Sequence, residues 1–394
     1  MPLKPSTPSN GLEVVLNLMP LHLKAAEIGL KTYVRVRNIV KPKWQGIGKN
    51  GRSRGHYLQC LNDLSNLGIC LEEEEEDRTN FLNIDRKFNV DIESKKTGLP
   101  IYDNSIKVYS DGSRMKEKTG YGYIISNGDY QIAQSCGYLG KNTSVFQAEV
   151  IAIQQACLEI GKMDDVTRSD DITFFTDSMS SVDSFCKLKI KSKVVADCIK
   201  ELNTLAKDRR VSVRWIRSHS DFTGNMVADD YAKLGVESSN WIRTPVPVGH
   251  FKAKIHNALM KEWSKEWRKS SRDFRQTKIF FPDLNSKQSS YLLNLSRKKL
   301  GQVIQIISGH NNLNYFENKI CKDVNPLCRL CGEEDETAFH LIGECPVLYN
   351  SRAKHFQKYL LDDNPEWKVR QLVNMIGGSC IAGMLDGSDK DPEA

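Results

Sequence analysis

Residues 106–113 read IKVYSDGS and residues 172–181 read ITFFTDSMSS. Each begins as a short apolar, β-branched or aromatic run and reaches an aspartate, Asp111 in the first and Asp177 in the second. Such runs are what a buried strand requires, and the carboxylate then falls at the strand's C-terminal end. A carboxylate there is costly unless a charge or a hydrogen bond compensates it. Working outward, Glu149 stands in FQAEVIAI (146–153) and Asp229 in GNMVADDYAK (224–233), both in segments that read as helices. Four acids brought together repel one another, and bound divalent cations are the usual remedy. Carboxylates without thiolates suit Mg²⁺, with Mn²⁺ as the alternative. Two such ions about 4 Å apart can activate water and stabilise the leaving oxygen in phosphodiester hydrolysis. Taken singly, Asp111 could equally form an Asx turn with Gly112 and Ser113, and Asp177 could cap a helix starting at Ser178. Asp229 and Asp230 are turned about 100° apart on a helix, so only one of them can face a common site.

The surrounding periodicity supplies a frame. Short strands are expected at 106–109, 121–126 and 130–136, the last two joined by a turn at Asn127, Gly128 and Asp129. An amphipathic helix follows over 145–161, then a strand buried on both faces at 172–176. Helical patterns at 178–188 and 194–206, a fifth strand at 211–216 and a helix at 224–234 complete the series. Antiparallel strands followed by strands alternating with helices predict an α/β fold, a five-stranded mixed sheet with helices on both faces.

In their order and spacing, YSDGS, TGYGYIIS, SVFQAEVIAI, FFTDSMSSV and VRWIRSHSDFTGNMVADDYAKLG resemble the type I ribonuclease H domain carried by non-LTR retrotransposons. The resemblance covers about residues 105–238. It implies the ribonuclease H-like fold and cleavage of the RNA strand of RNA–DNA hybrids, leaving 3′-hydroxyl and 5′-phosphate ends. It implies that Asp111 bridges two metal ions, that Glu149 and Asp177 hold one of them, and that Asp229 holds the other. The pattern GNxxAD selects Asp229 over Asp230. His219, in the loop before the last helix, corresponds to a histidine that assists proton transfer and product release, work suited to its ordinary pKa. Two departures touch no metal ligand: Met226 stands where relatives commonly carry an acid, and Arg217-Ser218 replaces Pro-Gly. The chain at 178–206 is too short for the extra basic helix with which cellular relatives grip the hybrid.

A second metal motif lies nearer the C-terminus. Cys328, Cys331, His340 and Cys345 form C-x2-C-x8-H-x4-C, a spacing that can wrap one tetrahedral Zn²⁺. Four protein ligands leave no open position, so the site is expected to be structural. The phrase HLIGECP is similar to the zinc knuckle that follows ribonuclease H in these polyproteins, for which nucleic-acid binding or protein contact is expected. Cys321 falls outside the spacing but could compete as a ligand.

Net charge is +7, and it is unevenly placed. Residues 241–320 hold 15 Lys or Arg against 5 Asp or Glu, a net of +10 that leaves the remainder near −3. A basic segment beside an acidic metal site suits a nuclease that must hold a polyanion. Interleaved aromatics (Trp263, Trp267, Phe274, Phe280, Phe281) could stack on bases or pack a core. Residues 1–60 begin as an amphipathic helix and resemble the region connecting reverse transcriptase to ribonuclease H in retroelements. The acidic run Glu72–Asp77 reads as a solvated loop, the chain to 104 as linker, and the tail from Gly377 as disordered. The expected division is 1–104, 105–238, a basic helical region at 239–320, the knuckle at 321–350 and a tail at 351–394. No apolar run approaches the roughly 20 residues of a membrane span. Eleven cysteines without a secretion signal point to reduced thiols in the cytosol or nucleus. The expected partners are RNA–DNA hybrid, other nucleic acid and a retroelement reverse transcriptase. The alternative is a catalytically silent fragment that binds nucleic acid without cutting it.

Overall fold

The computed structural model describes residues 7–44, 52–69, 84–91, 105–128, 130–163, 171–218, 223–270, 274–361 and 367–386. His219, the run Glu72–Asp77 and Asp129 of the expected turn lie outside them. The chain divides into two compact units, Leu30–Ile255, and Met1–Gly29 with His256–Ala394.

The helices α1 (Ser9–Val15), α2 (Leu21–Trp44) and α3 (Arg52–Asn66) precede the sheet. Its strands are β1 (Asn89–Asp91), β2 (Ile106–Met115), β3 (Lys118–Asn127), β4 (Tyr130–Gly140), β5 (Ile172–Thr176) and β6 (Val211–Trp215), in the order β1-β6-β5-β2-β3-β4. The β2–β3 and β3–β4 pairs are antiparallel and the other pairs parallel. Helix α4 (Val145–Lys162) packs on β2 and β3 with α6 (Lys193–Leu205) against it, while α7 (Thr223–Gly235) packs on β2, β3 and β4. The short α5 is Met179–Phe185.

Strand alternation assigns the two faces. Val108 and Phe174 join the large core that contains Ala148, Val150 and Ile153 of α4. Their neighbours Tyr109 and Phe175 join a smaller core with Ile216 and Ala228 of α7. Tyr109 and Phe175 stack with ring centroids 4.9 Å apart. This is the mixed α/β sheet expected from the sequence, with one strand more. Residues 84–91 are not linker: Phe88 is buried against Phe185, Asn203 bonds the backbone at Asp85 and Lys87, and Asp91 meets Arg214 at 3.5 Å. Three residues at a sheet edge among charges carry too little periodicity to be recognised.

Helices also dominate the other unit. After α8 (Val248–Lys269), which begins in the first unit, come α9 (Arg275–Phe280), α10 (Ser286–Leu293), α11 (Arg297–Ser308) and α12 (Asn314–Ile320). A π-helical turn at His340–Glu344 then leads to α13 (Tyr349–Phe356), α14 (Val369–Gly377) and α15 (Ile381–Asp386). Trp263, Trp267, Phe280 and Phe281 are all buried, so the interleaved aromatics pack a core rather than offer faces to bases. Residues 377–386 of the expected tail are packed rather than disordered: Ile381, Met384 and Leu385 are buried, and Asp386 pairs with Lys298 at 2.8 Å. No described helix is long and apolar enough to cross a membrane.

Candidate active site and metal centres

Asp111 lies where two kinds of pairing part company. Strand β2 runs antiparallel to β3 through Asp111 to Met115, whereas its parallel pairing with β5 stops at Tyr109 opposite Phe175. The side chain therefore sits within a strand rather than at its end, beside the opening where β5 gives way to Asp177. Gly112 lets α4 approach this point. A Cβ there would stand 2.7 Å from the Glu149 nitrogen and 2.8 Å from the Ala148 Cβ. Gly122, opposite Asp111, does the same for α7, since its Cβ would fall 2.3 Å from the Ala232 nitrogen. Substitution at either position would have to push a helix off the sheet.

Oxygens of Asp111, Glu149 and Asp177 converge within 4.8 Å of one another. Asp111 is 9% exposed and Glu149 6%. The Asp111 Oδ1 accepts from the Gly112 N–H at 2.7 Å, and the Glu149 Oε2 is buried with no partner among the described residues. Burial and then the Asp177 charge push the Asp111 carboxyl up to about 6, against hydrogen bonds from Glu149 and Gly112. Burial, joined by the charges of Asp111 and Asp177, raises Glu149 well above the carboxylate range. These carboxyls resist ionisation until a cation arrives. Their all-oxygen donor set and the unpartnered Oε2 fit a hard divalent ion.

Asp177 does not cap the following helix, because Ser178 does so by accepting from the Ser181 N–H. Its carboxylate is left to the site, where the Nδ2 of buried Asn225 donates to it at 3.4 Å, and its backbone oxygen accepts from the Trp215 indole at 3.0 Å. Asp229 stands apart from the three, with Lys233 Nζ at 2.6 Å, but its charge contributes to the rise at Asp111. Its side chain is 35% exposed, against 74% for Asp230. Asn225 and Lys233 escaped the sequence reading. Lys233 follows Asp229 by one helical turn, a spacing that signals such a pair.

The ribonuclease H (RNase H) family matches residues 103–237. This chain carries a ribonuclease H domain. It is also 26% identical over 218 residues, 55% of this chain and 82% of the relative, to a retrovirus-related Pol polyprotein from the type-1 retrotransposable element R1 of Popillia japonica. Among solved structures, RNase H1 from the halophilic archaeon Halobacterium salinarum is 17% identical, covers 34% of this chain and 98% of its own, and gives a TM-score of 0.28. LC11-RNase H1, solved in complex with an RNA/DNA hybrid, is 18% identical with a TM-score of 0.30, covering 34% of this chain and 97% of its own.

The second cluster lies in the helical unit. Ligand atoms of Cys328, Cys331, His340 and Cys345 all fall within 4.8 Å of one another. The Cys328 and Cys345 sulfurs are 4.0 Å apart, and Cys331 Sγ is 3.3 Å from His340 Nε2. A tetrahedron with Zn–S bonds of about 2.3 Å has sulfur–sulfur edges near ~3.8 Å, so the residues fit Zn²⁺. Burial pushes the Cys328 thiol up to about 12 and raises Cys345. At Cys331 burial acts the same way, but the N–H groups of Glu333 and Glu334 and the neighbouring thiols outweigh it and lower the value. Gly332, at φ 72°, makes the left-handed turn after the first cysteine pair. Cys321 is exposed and outside the cluster.

Two arginines absent from the sequence reading brace this cluster. Arg329 Nη2 meets the fully buried Glu336 at 2.7 Å, while the backbone N–H groups of Arg329 and Asn314 donate to the same carboxylate. Arg352, fully buried, donates to the carbonyls of Glu344, Cys345 and Tyr359.

Proposed function

We propose that this chain cuts the RNA strand of RNA–DNA hybrids endonucleolytically, as part of a retrotransposon polyprotein. The observation that carries the reading is the convergence of Asp111, Glu149 and Asp177 inside a ribonuclease H domain, with Asp111 and Glu149 buried. Asp229, on α7 across the opening, is the fourth acid.

Two Mg²⁺ ions, or Mn²⁺, would activate the attacking water and stabilise the leaving 3′-oxygen when bound. Asp111, Glu149 and Asp177 would hold one ion, and Asp111 with Asp229 the other. Asn225 keeps the Asp177 carboxylate turned toward the site. His219 is the group proposed to move the proton and release the product. Selection for a hybrid rests on the 2′-hydroxyls that its minor groove displays. The helical unit contributes a structural Zn²⁺ site at Cys328, Cys331, His340 and Cys345.

The test is cleavage of an end-labelled RNA–DNA hybrid in Mg²⁺, beside RNA duplex and DNA duplex. Hybrid-specific cutting by the wild type and none by Asp111→Asn is the expected result. Tight hybrid binding by folded wild type without cutting would retire the enzymatic reading in favour of a silent nucleic-acid-binding fragment.

A further inference from the structure

The helical unit holds a cavity of about 510 Å³ between α9, α12 and the segment that joins the two halves of the Cys₃His cluster. That volume lies in the range of small-ligand sites. Four aromatic side chains, Tyr315, Phe316, Phe339 and Trp367, line it beside polar ones. Phe339 and Trp367 stack at 5.5 Å with an interplanar angle of 16°, and Phe316 packs against His310 at 4.9 Å. At its rim are two exposed cations, Arg275 and Lys319, and Lys319 Nζ lies 4.4 Å from the centroid of Tyr315, which also lines it. Among the described lining residues the only acid is Glu336, whose carboxylate is already committed to Arg329 and two backbone N–H groups. The described rim thus sets two cations over a cluster of aromatic rings. A polar feature is also left over: the Trp367 indole is 5% exposed, and its buried Nε1–H has no acceptor among the described residues.

We propose that this cavity binds one unpaired nucleotide of a single-stranded nucleic acid. The base enters among the rings, Arg275 and Lys319 face the backbone phosphates, and Trp367 Nε1–H is available to a base carbonyl. Stacking on aromatic side chains with cations along the backbone is how single strands are held with little regard to sequence. A free phosphate would leave the aromatic interior unused. An apolar molecule would gain nothing from the rim. The site gives the helical unit a role distinct from hybrid cleavage: it holds a strand that is not paired.

The experiment measures anisotropy of a short fluorescein-labelled oligothymidylate with the full chain, zinc-loaded and magnesium-free. Single-stranded DNA is not a ribonuclease H substrate, so the outcome is independent of the proposed cleavage. Tyr315→Ala and the double change Arg275→Glu with Lys319→Glu should each weaken binding by roughly tenfold or more. Tyr315→Phe, which keeps the ring, should bind like wild type. Wild-type affinity in both weakening variants would overturn the proposal, as would a full chain that binds no single strand. Should Tyr315→Ala fail to fold, the charge-reversed variant alters only exposed side chains and decides alone. Photocrosslinking with 5-iodouracil in the strand should label Tyr315, Phe316 or Trp367, and adducts confined elsewhere would equally overturn it.

Discussion

Removing one charge from the carboxylate cluster should stabilise the metal-free ribonuclease H domain while destroying its function. Asp111 is 9% exposed, and its carboxyl is raised from 3.8 to about 6. Between those values the folded domain holds a proton that the unfolded chain has released. Stability therefore falls as pH rises through the window, and the deficit persists at neutral pH. Two units at about 1.36 kcal/mol each give a penalty of roughly 3 kcal/mol. Asp111→Asn removes that penalty and retains an oxygen to accept the Gly112 N–H. The variant should melt roughly 5–10 °C above wild type in magnesium-free buffer at neutral pH. Near pH 4 the difference should largely vanish, because wild-type Asp111 is then mostly protonated. Added Mg²⁺ should raise the wild-type melting temperature by mass action and leave the variant nearly unmoved. Scanning calorimetry across the pH series, without chelator so that the Cys₃His site keeps its ion, separates these outcomes. A wild-type stability flat between pH 4 and neutrality, or a variant less stable at neutral pH, would refute the idea that the cluster is held under charge strain.

Two further substitutions probe what surrounds each cluster. Lys233→Met removes the ammonium that occupies Asp229 at 2.6 Å, so half-maximal hybrid cleavage should need several-fold less Mg²⁺; an unchanged metal titration would mean that Lys233 does not compete. Arg352→Met leaves the buried Cys345 carbonyl and two partly buried ones without a donor and should lower the unfolding free energy of the helical unit by about 1–3 kcal/mol, read from the denaturant midpoint of tryptophan fluorescence; an unshifted midpoint would show that water replaces the guanidinium there.

The ribonuclease H domain was open to sequence reading because its chemistry and periodicity coincide. The aspartates of YSDGS and FFTDSMSS follow runs whose alternate residues pack on opposite faces, as Val108 and Tyr109 show. A buried strand and a site residue thus announce each other. Strand ends were less accessible. Strand β2 outlasts its apolar run because antiparallel pairing with β3 needs only backbone, and it carries Asp111 into the strand's interior. Edge strand β1 has only three residues, and what fixes it is distant: Asn203, Phe185 and Arg214. In the helical unit, composition left the role of the aromatics open. Interleaved aromatics in a basic segment can stack on bases or pack a core, and one helix can bury its aromatics while exposing its lysines. The burial of Trp263 and Trp267 on α8 is that case. The rings that line a cavity come instead from α12, Phe339 and Trp367, three separated stretches that no local pattern connects.

The two clusters resolve the cost of buried charge in opposite ways. Among the described residues no ion pair reaches Asp111 or Glu149, and the ammonium of Lys233 is spent on Asp229. The negative charge is left for an ion to neutralise, which suits the proposed site, whose metal would also meet substrate. Around Cys328 and Cys345 the protein supplies its own compensation. Glu336 is matched by Arg329, and the carbonyls flanking the last ligand are capped by Arg352. Those bonds fix the backbone of the thiol cluster without drawing on the thiols, so the four ligand atoms contact one another and would together enclose one ion. A closed, self-braced centre has no coordination position to offer a substrate. Its contribution is to hold the segment from Glu336 to Phe339 against α12, where the aromatic cavity opens.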